Sequence, residues 1–243
     1  MKTKKALSWL VSLNISSVDF ANEYIGGGVI HQGMVQEEIL FMIFPELLFS
    51  CMIFPKMENT EAIAITGVKR FSNYTGYSWS TKYDGEFNDT QPLDKHGRIG
   101  KWKKLLLIDR TFVAIDALML CDLNDQIYQF FQNGTLRDLN KAYIGFKGDR
   151  MEEESKNGKK SVTTGRWGCG AFNGNAELKF VTQWIATSAH NREMTFSTFK
   201  EKDCNQLSKI IEKYEDKSIS ELYKDMCKLR VHIQKQVSLM FKV

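Results

Sequence analysis

Two adjacent glutamates, Glu37 and Glu38, close a run that reads VDFANEYIGGGVIHQGMVQEE from Val18 to Glu38. Three consecutive glycines, Gly26, Gly27 and Gly28, precede them. Glycine lets the backbone take positive φ and approach a ligand closely. Carboxylates beside such a turn are candidates for acid–base work on a bound group. Neighbours in sequence cannot share one helix face or point the same way along a strand. One can therefore project into a cleft while the other holds a nearby hydroxyl. The same residues also read as a glycine turn before a helix, with two solvated carboxylates in a first turn where the helix dipole favours them.

A second cluster, TGRWGCGA from Thr164 to Ala171, continues into Phe172, Asn173, Gly174 and Asn175. A helix is expected just after it. Backbone N–H groups in such a loop, together with the helix start, suit a phosphate. Trp167 and Phe172 can pack against a sugar or base. The alternative is a tight strand-to-helix turn with Trp167 as a core anchor. Cys169 reads as a small buried residue and not as a nucleophile. In a third cluster, FSNYTGY, Tyr74 and Tyr77 flank Gly76 near the end of a strand. They can clamp an aromatic ring with their hydroxyls wet, or simply pack there.

Other chemistries find little support. His31, between the glycines and the glutamates, reads either as a ligand contact or, more often for a lone loop histidine, as a surface residue, and His96, His190 and His232 have no metal partner at useful spacing. The glycine triplet lacks the following GK[ST] of a P-loop. No GxSxG is present. The five cysteines are scattered, which suits free thiols in a reducing compartment.

These clusters need a scaffold. The spacing predicts helices near Met34–Phe44, Pro45–Ile53, Asp122–Phe131, Thr135–Phe146, Ala176–Ala189, Asp203–Tyr214 and Ser218–Val237. Pro45 suits a first helical turn, and Ser218 with Glu221 has capping-box spacing. Strands are expected at Ala62–Thr66, within Leu105–Leu120 and at Met194–Phe199. Gly76–Lys104 reads as a long surface loop or hairpin insertion, Gly148–Lys160 as a charged linker, and Lys101, Lys103 and Lys104 as a solvated edge. Met1–Leu13 has the charge order of a signal peptide. Its apolar run, Ala6–Leu13, is short and no A-x-A site follows, so it reads as a first strand or short helix joining the core. Alternating strands and helices give an α/β (mixed α+β) layer architecture in one domain.

The chain has 243 residues, with 43% apolar and 26% charged residues, enough for a core without staples. With only 3 Pro and 12% aromatics, collagen-like and disordered classes are excluded. A net charge of +4 is too weak to argue for nucleic-acid binding. The most apolar stretch, Leu40–Phe54, is interrupted by Pro45 and Glu46 and is shorter than the roughly 20 residues a membrane span needs.

The clusters together resemble poly(ADP-ribose) glycohydrolases, whose signature is a triple glycine followed at short spacing by QEE, here Gln36, Glu37 and Glu38. VDFAN (Val18–Asn22), FSNYTGY, VAIDAL (Val113–Leu118), LNKAY (Leu139–Tyr143) and WGCGAF (Trp167–Phe172) match in order. The resemblance implies a macrodomain-like mixed sheet flanked by helices over residues 18–243, after an atypical segment 1–17. It implies hydrolysis of ribose–ribose O-glycosidic bonds in poly(ADP-ribose) without a cofactor or metal. By motif position, Glu38 is the catalytic acid, then base. Glu37 holds ribose hydroxyls and Asn22 supports the same ribose. Gln36 and Tyr77 border the adenine. Gly27 and Gly28 let backbone approach the diphosphate and ribose. Gly168, Cys169, Gly170, Ala171 and Phe172 wrap the diphosphate, with Phe172 near the proximal ribose. The implied partners are poly(ADP-ribose) and ADP-ribosylated proteins, with no nucleic acid or membrane. The implied setting is a monomer in the nucleus or cytoplasm that acts in DNA repair. Two departures stand out: Arg166 replaces the family's usual Asn, and Met1–Ser17 matches nothing of the family's N-terminal accessory region. The latter favours, as a second reading, a module that binds ADP-ribose and hydrolyses it weakly or not at all.

Overall fold

The computed structural model describes residues 15–91, 93–96, 105–148, 161–199 and 206–240. In chain order the elements are β1 (Ile15–Ala21), α1 (Gln36–Ile43), a 3-10 turn (Pro45–Leu47), α2 (Leu48–Ile53), β2 (Ile63–Gly67), β3 (Ser72–Thr75) and a 3-10 turn (Ser78–Ser80). There follow β4 (Lys82–Glu86), β5 (Leu93–His96), β6 (Leu105–Asp116), α3 (Leu123–Tyr128), α4 (Gln132–Gly145), β7 (Ser161–Gly165), α5 (Ala176–Ala189), β8 (Met194–Ser197), α6 (Leu207–Tyr214) and α7 (Ile219–Met240).

One mixed sheet runs β2-β6-β1-β7-β8, with β5 also paired to β6. β1 lies parallel to β6 and β7, and β7 parallel to β8, while β2 and β5 run antiparallel to β6. Strands covered on both faces read as near-continuous apolar runs. The Phe112–Ile115 stretch of β6 obeys this, and its alternate residues go to opposite layers. Phe112 and Ala114 join Ile39, Leu40, Ile43 and Phe44 around α1. Val113 and Ile115 join Val18, Ala142, Phe146, Val162 and Ala186 under α4 and α5. Helices therefore cover both faces of the sheet. β3, just before the expected Gly76–Lys104 insertion, pairs antiparallel with β4 inside it as a separate hairpin, whereas β5, also inside it, joins the main sheet beside β6.

Two strands escaped the sequence reading. β1 was expected as part of a loop cluster, yet it is the central strand, with Ser16, Ser17 and Asp19 all buried. β7 (SVTTG) is equally polar. Its Thr164 hydroxyl is satisfied by Gln183 of α5, so polar residues are accommodated in a buried strand. Pro45 opens a 3-10 turn that leads into α2. The Ser218–Glu221 capping box forms as expected. Met1–Leu13, Lys101, Lys103, Lys104 and nearly all of Gly148–Lys160 lie outside the described residues.

Candidate active site

Four parallel strands deliver their C-terminal ends to one edge of the sheet, the usual place for a crevice in such a fold. A cleft of about 360 Å³ opens there. Its walls come from Phe20 and Ala21 at the end of β1 and Asn22 after it, Ala117 after β6, Arg166–Gly168 and Gly170–Phe172 after β7, and Phe199 after β8. The first turn of α1 with Gly27 and Gly28 forms the opposite side. The three sequence clusters thus meet at one place.

The carboxylates are not solvated: Glu37 is 3% exposed and Glu38 8%. Their adjacency is accommodated because the chain from Asn22 to Val35 arches over the start of α1. Amides therefore meet the helix from two directions. Glu37 accepts from the Asn22 amide (2.9 Å) and the Gly26 amide (2.6 Å). Glu38 accepts from the Gly28 amide (2.9 Å) and, as the third residue of the helix, from the Val35 amide (3.0 Å). A carboxylate has roughly four acceptor positions, so each oxygen keeps capacity toward the cleft.

The glycines are there for close approach. A Cβ on Gly27, whose φ is +50°, would lie 2.6 Å from Glu37 Oε2 and 2.8 Å from Glu38 Oε1. Gly33, not singled out from the sequence, is tighter still, at 2.4 Å from Glu38 Oε1. Gly28 and Gly33 are themselves in backbone contact. The Glu38 carboxyl is therefore boxed by three glycines.

Asp19, also missed, sits beneath the pair on β1. It is 2% exposed, and its Oδ1 has no hydrogen-bond partner among the described residues. Burial first, and the Glu38 charge second, push its pKa up to about 8. Burial and the Asp19 charge push Glu37 up to about 10, against the opposing pull of its two amides. A lone aspartate in an otherwise buried strand was the available signal, within the VDFAN run.

Gln36 works mainly as a brace. Its carboxamide bonds the Val18 carbonyl and the Phe20 amide of β1, and its own amide meets the Tyr77 hydroxyl. Asn22 holds the Tyr24 amide with its side-chain oxygen. The Tyr74–Tyr77 clamp does not form. Tyr74 packs against the α1 core, where burial raises its pKa to about 12. Tyr77 instead meets Phe199 edge-on at 5.7 Å, and both rings line the cleft. Phe199 was not foreseen as a site residue, since it ends a segment that read as strand.

Beyond β7 the glycine loop divides its residues between cleft and core. Trp167 is the core anchor of the two alternatives: it is fully buried, and its indole N–H donates to the Ile115 carbonyl (2.9 Å). Cys169 turns inward too, and it is absent from the cleft lining. Gly168, Gly170, Ala171 and Phe172 face the cleft, and their amides bond nothing among the described residues. Successive free amides make an anion-binding concavity. Arg166, half-buried, also lines the cleft on the Tyr77 side. His31 is exposed, whereas His190 is buried on the Tyr143 carbonyl. Among the described residues no three His, Cys, Asp or Glu side chains group to hold a metal ion.

The family profile described as poly(ADP-ribose) glycohydrolase, macro domain fold, matches residues 10–206. Poly(ADP-ribose) glycohydrolase 1 of Caenorhabditis elegans is 36% identical over 214 residues, covering 84% of this chain and 26% of that protein. Poly(ADP-ribose) glycohydrolase 2 of the same organism is 37% identical over 198 residues, covering 76% of this chain and 37% of its own length. A probable poly(ADP-ribose) glycohydrolase 2 of Arabidopsis thaliana is 33% identical over 247 residues, covering 86% and 44%. This chain thus spans between about a quarter and under half of the relatives it matches. With the profile covering most of its length, and relatives more than 30% identical over most of this chain, the chain belongs to the poly(ADP-ribose) glycohydrolase family and has its macro domain fold.

Proposed function

We infer that residues 18–243 form a unit that hydrolyses the ribose–ribose O-glycosidic bond of poly(ADP-ribose) and releases ADP-ribose. The observation that carries this reading is the Glu38 carboxyl, boxed by Gly27, Gly28 and Gly33 and opening into the same cleft as the free amides of the Gly168–Phe172 loop. A pure binding site has no use for an acid held so closely.

The substrate diphosphate lies on the amides of Gly168, Gly170, Ala171 and Phe172. The adenine lies toward Tyr77 and Phe199, with Phe172 near the proximal ribose. Glu37, fixed by two amides, and Asn22 hold hydroxyls of the ribose being cut. Protonated Glu38 gives its proton to the leaving ribose oxygen as the anomeric C–O bond breaks, and the ribose becomes oxocarbenium-like. The nearby diphosphate stabilises that positive charge. Glu38, now ionised, takes a proton from the attacking water as its oxygen bonds the anomeric carbon. The proton balance closes, and one carboxyl serves as acid and then base. No metal or cofactor enters these steps. The polymer and ADP-ribosylated proteins are the partners of this reading. A monomer in the nucleus or cytoplasm, contributing to DNA repair, is its setting.

The test is direct. Purified protein is incubated with poly(ADP-ribose), free ADP-ribose is measured, and ADP-ribose binding is titrated in parallel. Release supports the reading. Binding without release leaves an ADP-ribose module and overturns it.

A further inference from the structure

Behind the glycine loop, on the side away from the cleft, lies a buried cluster of five charged side chains. Lys179 of α5 pairs with Asp138 of α4. Arg137 bridges Asp138 and Asp116, and Lys141 also pairs with Asp116. All five side chains are between 0% and 12% exposed. Three cations face two carboxylates, so the cluster carries one excess positive charge.

Lys179 is the member that touches the loop. Its ammonium lies 4.1 Å from the Trp167 ring centre. A Cβ on Gly168 would meet Nζ at 3.3 Å, and one on Gly174 would meet Cε at 3.1 Å. The Gly174 amide donates to the Gly168 carbonyl (2.8 Å), which closes the loop around the lysine. A methionine would fill this space and pack on Trp167 without the cost of desolvating an ammonium. The retained charge therefore needs a counterpart beyond Asp138, and the free amides in front of Gly168 face where an anion would sit.

We propose that Lys179 is a positioning residue of the diphosphate subsite. It props Gly168 and Gly174 so that the loop amides face the cleft, and it supplies positive charge directly behind them. The inference rests on the reading of this loop as the diphosphate site.

Calorimetric titration with ADP-ribose and with adenosine, which has no phosphate, tests it. Lys179→Met weakens ADP-ribose by at least about tenfold, the size expected for a unit charge lost within about 12 Å of a phosphate charge at an effective dielectric of about 20. Adenosine affinity does not change. Asp138→Asn keeps a hydrogen-bond acceptor for Lys179 but removes its neutralising charge. It tightens ADP-ribose by a few-fold and again leaves adenosine unchanged. A purely structural lysine would instead make both variants lose both ligands alike, and that result overturns the proposal, as does unchanged ADP-ribose affinity in both. Asp138→Asn also leaves Lys179 and Arg137 short of counter-charge and lowers the melting temperature, so both variants are titrated well below their melting points, where the sign of the Asp138→Asn effect decides even if Lys179→Met fails to fold. A wild-type protein that binds adenosine but gains nothing from the diphosphate would refute the reading of the loop itself.

Discussion

Gly33 provides the sharpest local perturbation of the acid. Substitution by Ala would put a Cβ at 2.4 Å from Oε1, 2.6 Å from Cδ and 2.7 Å from Cγ of Glu38. Comfortable separation is about 3.5 Å, so the carboxyl must withdraw by about 1 Å. Gly33 is outside the left-handed region, so its backbone accepts alanine without strain. The atoms that must yield belong to a buried side chain held by two amides, so stability falls by about 1–3 kcal/mol. The withdrawn carboxyl loses the Gly28 amide at 2.9 Å and the leaving oxygen it must protonate. A displacement of about 1 Å costs on the order of 100-fold in rate. Initial rates of ADP-ribose release at saturating polymer, beside a melting curve and an ADP-ribose titration, read all three quantities. The expected variant melts a few degrees lower, binds ADP-ribose like wild type and turns over about 100-fold more slowly. A Gly33→Ala protein with near-normal kcat would show that the carboxyl does not have to sit where the glycines hold it.

Three further outcomes follow from the same geometry. Asp19 has a raised pKa when folded, so the native state holds a proton that the unfolded chain has released. That contribution is complete below pH about 4 and is lost as pH rises toward about 8, at up to about 1.4 kcal/mol per pH unit. Asp19→Asn should therefore melt progressively higher than wild type between pH 5 and pH 8, and a constant difference would contradict the buried proton. Tyr77→Ala removes one ring of the Tyr77–Phe199 pair and should weaken ADP-ribose by about 1 kcal/mol with kcat preserved, measured by titration and steady-state kinetics. Burial raises the Asp89 pKa, but the two-pronged contact with Arg110 and the Arg70 amide lower it below the usual value. Asp89→Asn leaves Arg110 buried beside a neutral partner and should lower unfolding stability by about 3 kcal/mol in denaturant titration.

The site was more legible in the sequence than the sheet that carries it. The carboxylates, the glycine triplet and the Gly168 loop stood out because glycines and charged residues interrupt apolar periodicity. α5 was legible to the residue, with Asn175 accepting from the Leu178 amide at its start. β1 and β7 were hidden for the opposite reason. Their serines, threonines and Asp19 look like loop composition, and only tertiary partners such as Arg192 on Ser16 and Gln183 on Thr164 make them strand. Tyr74 and Trp167 were open between ligand and core because local sequence does not say which side of an element meets another layer. Asp19, Gly33 and Phe199 reach the site from separate segments, and only the fold brings them together.

The central claim is that the Glu38 carboxyl is the proton donor, and turnover by Glu38→Gln tests it most directly. The amide keeps the size of the side chain and one of its two backbone acceptor bonds but cannot give up a proton. ADP-ribose release from the polymer should fall by about 1,000-fold while ADP-ribose still binds near wild-type strength. Undiminished release by Glu38→Gln would contradict the account.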